Sequence, residues 1–256
     1  MCGRFTMATN PEALAERFHA HLSTEVAAPT YNAAPSQAQL TILNDHPDAI
    51  VRAAWGFVPE WADGRPDVKP IINARAETVA TKPFFRDAFK KKRCLVLADG
   101  FYEWKRAGKS KVPYRIALKT EEPFAFAGIW SMVHDAQGEA HPIFALLTTE
   151  ANALVSQIHT RMPVILKEQD EADWLNPSLA LDAAQALLVP LPADQLMMYE
   201  VSPKVNSSTF NVPEALQPVA QGSPHIGCWA GTWSSLLTCW RGFRRVGLAL
   251  SLVPAG

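Results

Sequence analysis

The sequence predicts an α+β fold: a single domain whose curved, barrel-like and mostly antiparallel β-sheet is flanked by a few helices. Short apolar runs bounded by turn residues outnumber helical patterns along most of the chain, which favours a sheet that curls on itself. The longest of these runs fall in adjacent pairs around polar turns, as hairpins do. No internal repeat is present, and 256 residues that are 48% hydrophobic and 19% charged suffice for one full core.

Taken in order, residues 5–8 read as a strand, and Asn10 followed by Pro11 reads as a helix start, an N-cap side chain before a proline whose missing N–H costs nothing. Leu14, Phe18 and Leu22 recur at four-residue spacing and give that helix one buried face. Residues 39–43 and 50–55 are short and strand-like. Thr81, with Pro83 two residues on, opens a second helix through Phe84, Phe85, Ala88 and Phe89; its basic end, residues 90–93, reads as a solvated terminus favoured by the helix dipole. Residues 94–98 form a buried strand. Residues 101–105 and 113–118 flank the polar Gly108-Lys109-Ser110 turn, and residues 124–132 and 143–148 flank a second turn at 135–138. Two modest helices near 169–175 and 179–188 precede a last strand at 197–201.

Composition divides the chain into a domain at 1–218 and an atypical tail at 219–256. The tail has no Asp, Glu or Lys, yet it carries three arginines, two cysteines (Cys228 and Cys239) and three of the eight tryptophans. It lacks the periodicity of a packed element and reads as disordered or foreign to the domain. The net charge of −1 neither announces nor excludes a nucleic-acid partner, since a few placed arginines can hold a short single strand. None of the four cysteines sits in a CxxC pair, which argues against a disulfide scaffold, a structural metal site or a metal cofactor. No run reaches the roughly 18 apolar residues of a spanning helix, and no secretory leader pattern is present. A cytoplasmic protein with no membrane association is expected.

Five polar clusters could carry chemistry. The first is Met1-Cys2-Gly3-Arg4. Removal of Met1 would leave an amine and a thiol on the Cys2 skeleton, and that 1,2-aminothiol can condense with an aldehyde and close to a five-membered thiazolidine. The plainer reading is one cysteine near a frayed terminus. In the second, residues 73–77, Asn73, Arg75 and Glu77 alternate onto one side if the strand continues, and Arg75 suits bidentate phosphate binding. The third places Glu103 between bulky aromatics in Gly100-Phe101-Tyr102-Glu103-Trp104, where desolvation would raise its pKa toward proton-shuttle duty, unless Glu103 faces water. In the fourth, His159 and Arg161 share a side and can serve as acid/base and anion clamp. The fifth, Pro203-Lys204-Val205-Asn206-Ser207, closes the domain without an evident role. Trp61 and Trp104 could stack on unpaired bases or anchor loops in the core.

These motifs, together with Tyr31-Asn32 before Pro35 and Trp55-Gly56, occur in the order seen in one family. From residue 1 to about 218 the chain closely resembles the SOS response-associated peptidases, also called abasic site processing proteins. The resemblance implies covalent capture of the aldehyde of an abasic site in single-stranded DNA by Cys2. It also implies that Asn73 orients Cys2 and the linkage, and that Glu103 and His159 handle protons. Arg4, Arg75 and Arg161 would clamp phosphates, Trp61 and Trp104 would stack on or wedge against bases, and Thr148 matches a backbone or phosphate contact. The family name further implies autocatalytic peptidase activity, here limited to Met1. The expected partner is single-stranded DNA with abasic sites, bound by a monomer without cofactor. Two alternatives stay open at this point: a thiol hydrolase built on Cys2 and His159, and a non-covalent single-strand binding module. A zinc site from Cys2, Glu103 and His159 lacks supporting spacing.

Overall fold

A computed structural model describes residues 2–23, 28–108 and 110–219. Residues 220–256, which make up all but the first position of the expected tail, lie outside the described residues, as does Lys109 in the hairpin turn. The elements run β1 (Phe5–Met7), α1 (Pro11–Arg17), β2 (His21–Leu22), β3 (Thr30–Ala33), β4 (Ala38–Leu43), β5 (His46–Trp55), β6 (Asn73–Arg75), α2 (Ala76–Val79), α3 (Arg86–Lys91) and β7 (Arg93–Ala98). They continue with β8 (Gly100–Ala107), β9 (Ser110–Leu118), β10 (Phe124–His134), β11 (Ala140–Glu150), β12 (Arg161–Pro163), α4 (Glu168–Leu175), α5 (Leu181–Ala186) and β13 (Leu196–Glu200).

The predicted fold class is the observed one. Strands β11, β10, β7, β4 and β5 follow one another antiparallel, and β5 then pairs in parallel with β11 through Ala54 and Ile143, and Trp55 and Phe144, closing a five-stranded barrel. Closure removes the free edges that an open sheet would present. A second sheet, in the order β13-β9-β8-β1-β3, packs beside it. Strand β7 shows why its run is uninterrupted. Leu95 and Leu97 join one apolar cluster with Leu14, Phe89 and Trp174, while Cys94, Val96 and Ala98 join another with Cys2, Phe5 and Phe101. Both faces of the strand are buried, so no polar alternation survives.

Four local expectations are corrected. Helix α1 begins as predicted, with Asn10 Oδ1 accepting from the Ala13 N–H at 2.7 Å, but it stops at Arg17. His19 takes a left-handed φ of 49°, which turns the chain so that Leu22 pairs with Ile50 in β2 rather than extending the helix. The regular helix after Thr81 starts only at Arg86, because Phe84 and Phe85 fold inward onto Phe57, with centroids 6.0 and 5.8 Å away. Strand β6 ends at Arg75, so Glu77 does not continue the alternation; Ala76 and Val79, three apart, are both buried, and that helical spacing prevails. Arg93 is not a solvated helix end. It is fully buried and donates to the carbonyls of Phe89, Lys90, Trp174 and Asn176, thereby satisfying the last turns of α3 and α4. Among the described residues no helix is long and apolar enough to cross a membrane.

Candidate functional site

The site is assembled around β1, a strand of three residues that could not hold itself in place. Phe5 seats it on the barrel, its ring 5.1 Å from that of Trp55 and 5.8 Å from that of Phe126. Asp99 then fastens the strand's far end: Oδ1 accepts from the Thr6 hydroxyl at 2.5 Å, and Oδ2 accepts from the N–H groups of Ala8 and Thr9 at 2.5 and 2.9 Å. Arg115 completes the arrangement, donating through Nη2 to the Asp99 carbonyl at 2.9 Å and through Nη1 to the Tyr199 hydroxyl at 2.9 Å. The guanidinium crosses so close to Gly100 that a Cβ there would meet it at 2.8 Å, which explains the glycine ahead of the aromatic strand.

Cys2, just upstream, is fully buried, and its thiol lies 3.6 Å from the Arg4 carbonyl. Burial pushes the thiol pKa well above its ordinary value, and the nearby Glu103 carboxylate adds to the shift. The resting sulfur is therefore a neutral thiol. Asn73, at the start of β6, donates from Nδ2 to the Cys2 carbonyl at 2.7 Å, while its Oδ1 is buried and has no hydrogen-bond partner among the described residues. Glu103 does not face water: it is 2% exposed. Burial raises its carboxyl above the usual range, partly offset by nearby positive charge that includes His159.

His159 is half-buried, in the loop before β12. The Arg161 N–H donates to its Nδ1 at 3.0 Å, and the Arg161 carbonyl lies 3.1 Å from the same atom. An amide N–H can only donate, so in the neutral ring Nδ1 accepts and the proton resides on Nε2. A protonated ring would instead donate from Nδ1 to the carbonyl. The peptide groups of one residue thus serve both states of the imidazole.

The arginines differ in how far they are committed. Arg4 donates to Asn32 Oδ1 at 3.0 Å and to the carbonyls of Val205 and Asn206 at 2.9 and 3.3 Å, so most of its fork is engaged inside the protein. Arg161 forks onto Glu77, at 2.6 and 2.9 Å, and also donates to the Thr148 carbonyl. Arg75 is exposed. Thr148 is fully buried, with its hydroxyl directed to the Ala74 carbonyl at 3.4 Å, and it stands behind Arg161 rather than on the surface.

Trp61 is 56% exposed on a short 3₁₀ turn, its ring edge-on to Phe84, beside a groove of 280 Å³ that Lys91 and Lys92 also line. Trp104 is half-buried and donates to Asn206 Oδ1 at 2.7 Å. The loop at 203–206, whose role the sequence left open, therefore supplies acceptors to both Arg4 and Trp104. Asn32 holds that loop from behind, donating to the carbonyls of Val205, Ser207 and Phe210.

The model of the family described as SOS response associated peptidase (SRAP) matches residues 1–208. The chain belongs to the SRAP family. It is 42% identical over 222 residues to the abasic site processing protein YoqW of Bacillus subtilis, covering 85% of this chain and 99% of that protein. It is 30% identical to the abasic site processing protein YedK of Escherichia coli, covering 86% and 100%. Its fold is also similar to a solved structure of a Bacteroides thetaiotaomicron protein, with a TM-score of 0.77 and 29% identity, covering 86% of this chain and all of that one.

Proposed function

We propose that this SRAP protein captures abasic sites in single-stranded DNA through a thiazolidine at Cys2, once the Met1–Cys2 bond has been cleaved. The observation that carries this reading is the Asn73–Cys2 hydrogen bond beside a buried Glu103: residues distant in sequence fix the Cys2 backbone, not merely its sulfur. A thiol hydrolase would need an activated thiolate, whereas this thiol is held neutral by burial. In the aminothiol route the amine leads and the thiol follows.

The Cys2 amine adds to the C1′ aldehyde of the ring-opened deoxyribose, giving a carbinolamine. Protonation of its hydroxyl by Glu103 or His159 expels water and leaves an iminium. Sγ then adds to the same carbon and yields its proton to the Glu103 carboxylate. One C–N and one C–S bond form, and the aldehyde oxygen departs as water. The iminium also acidifies C2′ and opens a lyase path by β-elimination; ring closure by sulfur removes it, and this protects the strand. Asn73 Oδ1, buried beside Cys2, is placed to accept from the amine or the adduct. Arg75 contacts a flanking phosphate, Arg4 and Arg161 reach phosphates with the donors their internal bonds leave over, and Trp61 and Trp104 stack on neighbouring bases. Thr148 supports this surface from beneath through Arg161. Pairing would bury the aldehyde in a duplex, so a single strand is the substrate. Removal of Met1 precedes this chemistry, either by self-cleavage, the peptidase activity that the family name denotes, or by a separate aminopeptidase. We further take the protein to act as a cytoplasmic monomer.

Incubation with a single-stranded oligonucleotide carrying one abasic site should give a species that stays shifted on a denaturing gel, and the duplex form should react far more slowly. Equal reaction of an intact oligonucleotide would contradict the proposal.

A further inference from the structure

The segment 73–77 does more than present Asn73 to Cys2. At Ala76 it changes from strand to helix, so Asn73 and Glu77, four residues apart, serve opposite arms of the site: Asn73 holds the Cys2 carbonyl and Glu77 holds the guanidinium that leads to His159. We propose that Glu77 is a positioning residue, which forks onto Arg161 and thereby fixes the Arg161 peptide groups that set the orientation and tautomer of His159. This rests on the reading of His159 as a proton carrier at the Cys2 site.

The geometry supports a tether rather than a chance surface pair. Arg161 is the first residue of β12, a strand of only three residues paired to β11 through Glu150 and Arg161, and strand ends of that length fray unless held. Here the side chain holds the end, through the fork to Glu77 at 2.6 and 2.9 Å and through donation to both Thr148 oxygens. Fork–fork pairs fix the plane of both groups. The Arg161 side chain is largely buried, its relative exposure 17% against 46% for Glu77, so loss of the carboxylate leaves a nearly buried cation to find a new position. That movement carries the Arg161 N–H away from His159 Nδ1. Glu103 from β8 bears on the ring electrostatically, while Glu77, with Arg75 beside it, bears on Arg161, whose backbone N–H donates to the ring. The Glu77–Arg161 pair thus acts on the ring through a backbone donor.

The test uses Glu77→Gln in the full chain, with ¹⁵N signals of the imidazole nitrogens assigned by comparison with His159→Gln. The wild type should show His159 as the Nε2–H tautomer, and Glu77→Gln should show a mixture. At saturating single-stranded abasic DNA the crosslinking rate should fall roughly tenfold, within the range that small displacements of a catalytic group produce, and Arg161→Lys, which keeps the charge but not the fork, should behave alike. Unchanged imidazole signals and an unchanged rate, with tighter DNA binding, would overturn the proposal and make Glu77 a counter-ion that phosphate displaces. If the signals change but the wild type forms no crosslink, the positioning role stands and the proposed function fails.

Discussion

The side-chain amide of Asn73 donates to the carbonyl of Cys2 across 2.7 Å, joining residues 71 positions apart. Asn73 reaches that point because β6 lies parallel to β11, opposite Leu146. Replacing Asn73 by Ala should cost about 1 kcal/mol of stability, the net worth of one such bond. Its effect on crosslinking should be larger, because Cys2 then loses its fixed backbone. Urea unfolding and single-turnover gel kinetics on the same preparation separate the two effects.

The raised carboxyl of Glu103 makes a prediction about pH. Between the ordinary glutamate value and the raised one, the folded protein binds more protons at this site than the unfolded chain does, so its contribution to stability falls as pH rises through that window. Glu103→Gln removes the penalty. The variant should melt higher than wild type at pH 7 to 8, and the gain should vanish below about pH 4, near the unperturbed carboxyl range. A thermal-melt series across pH checks this.

Asp99 is the anchor of β1, and Arg115 beside it is buried. Asp99→Ala orphans four β1-side donors and leaves the guanidinium unpaired, a change that costs about 3 to 5 kcal/mol when a buried pair is broken. Denaturant unfolding should show the loss, and Asp99→Asn, whose single side-chain oxygen can still accept from the Ala8 and Thr9 N–H groups while its Nδ2 donates to the Thr6 hydroxyl, should recover part of it.

Trp61 presents an exposed ring, so Trp61→Ala should leave the melting temperature within a degree or so, as surface changes usually do. Single-strand affinity should fall by about tenfold or more, in line with one base–aromatic stack of roughly 1 to 3 kcal/mol. Fluorescence anisotropy with a short labelled strand reports it.

How far the sequence discloses the molecule depends on the range of the interaction. The hairpins of β8 with β9 and of β10 with β11 are local and were legible from turn residues and alternation. Barrel closure by the parallel contact of β5 with β11 joins residues about ninety apart, and no local pattern signals it. Cys2, Asn73, Glu103 and His159 stood out as residue types in suggestive settings, and the resemblance supplied their order. The supports did not stand out: Asp99 and Arg115 look like ordinary polar residues at strand ends, and Arg93 reads as the end of a basic run. Their roles arise because strands from distant parts of the chain place carbonyls and carboxylates around them. Glu77 was visible but misplaced, since strand alternation was extended two residues too far. The burial of Ala76 and Val79 on one helical face was the signal that could have corrected it.

The central claim is that Cys2 binds the abasic aldehyde through both its nitrogen and its sulfur, and the intact mass of the crosslinked species tests it most directly. After reaction with a single-stranded abasic oligonucleotide, the mass should equal protein without Met1 plus oligonucleotide less one water, and the adduct should survive heating with hydroxylamine. Cys2→Ser should give no adduct that survives the same treatment. A stable adduct on the protein that retains Met1, or an equally stable one with serine at position 2, would contradict the account.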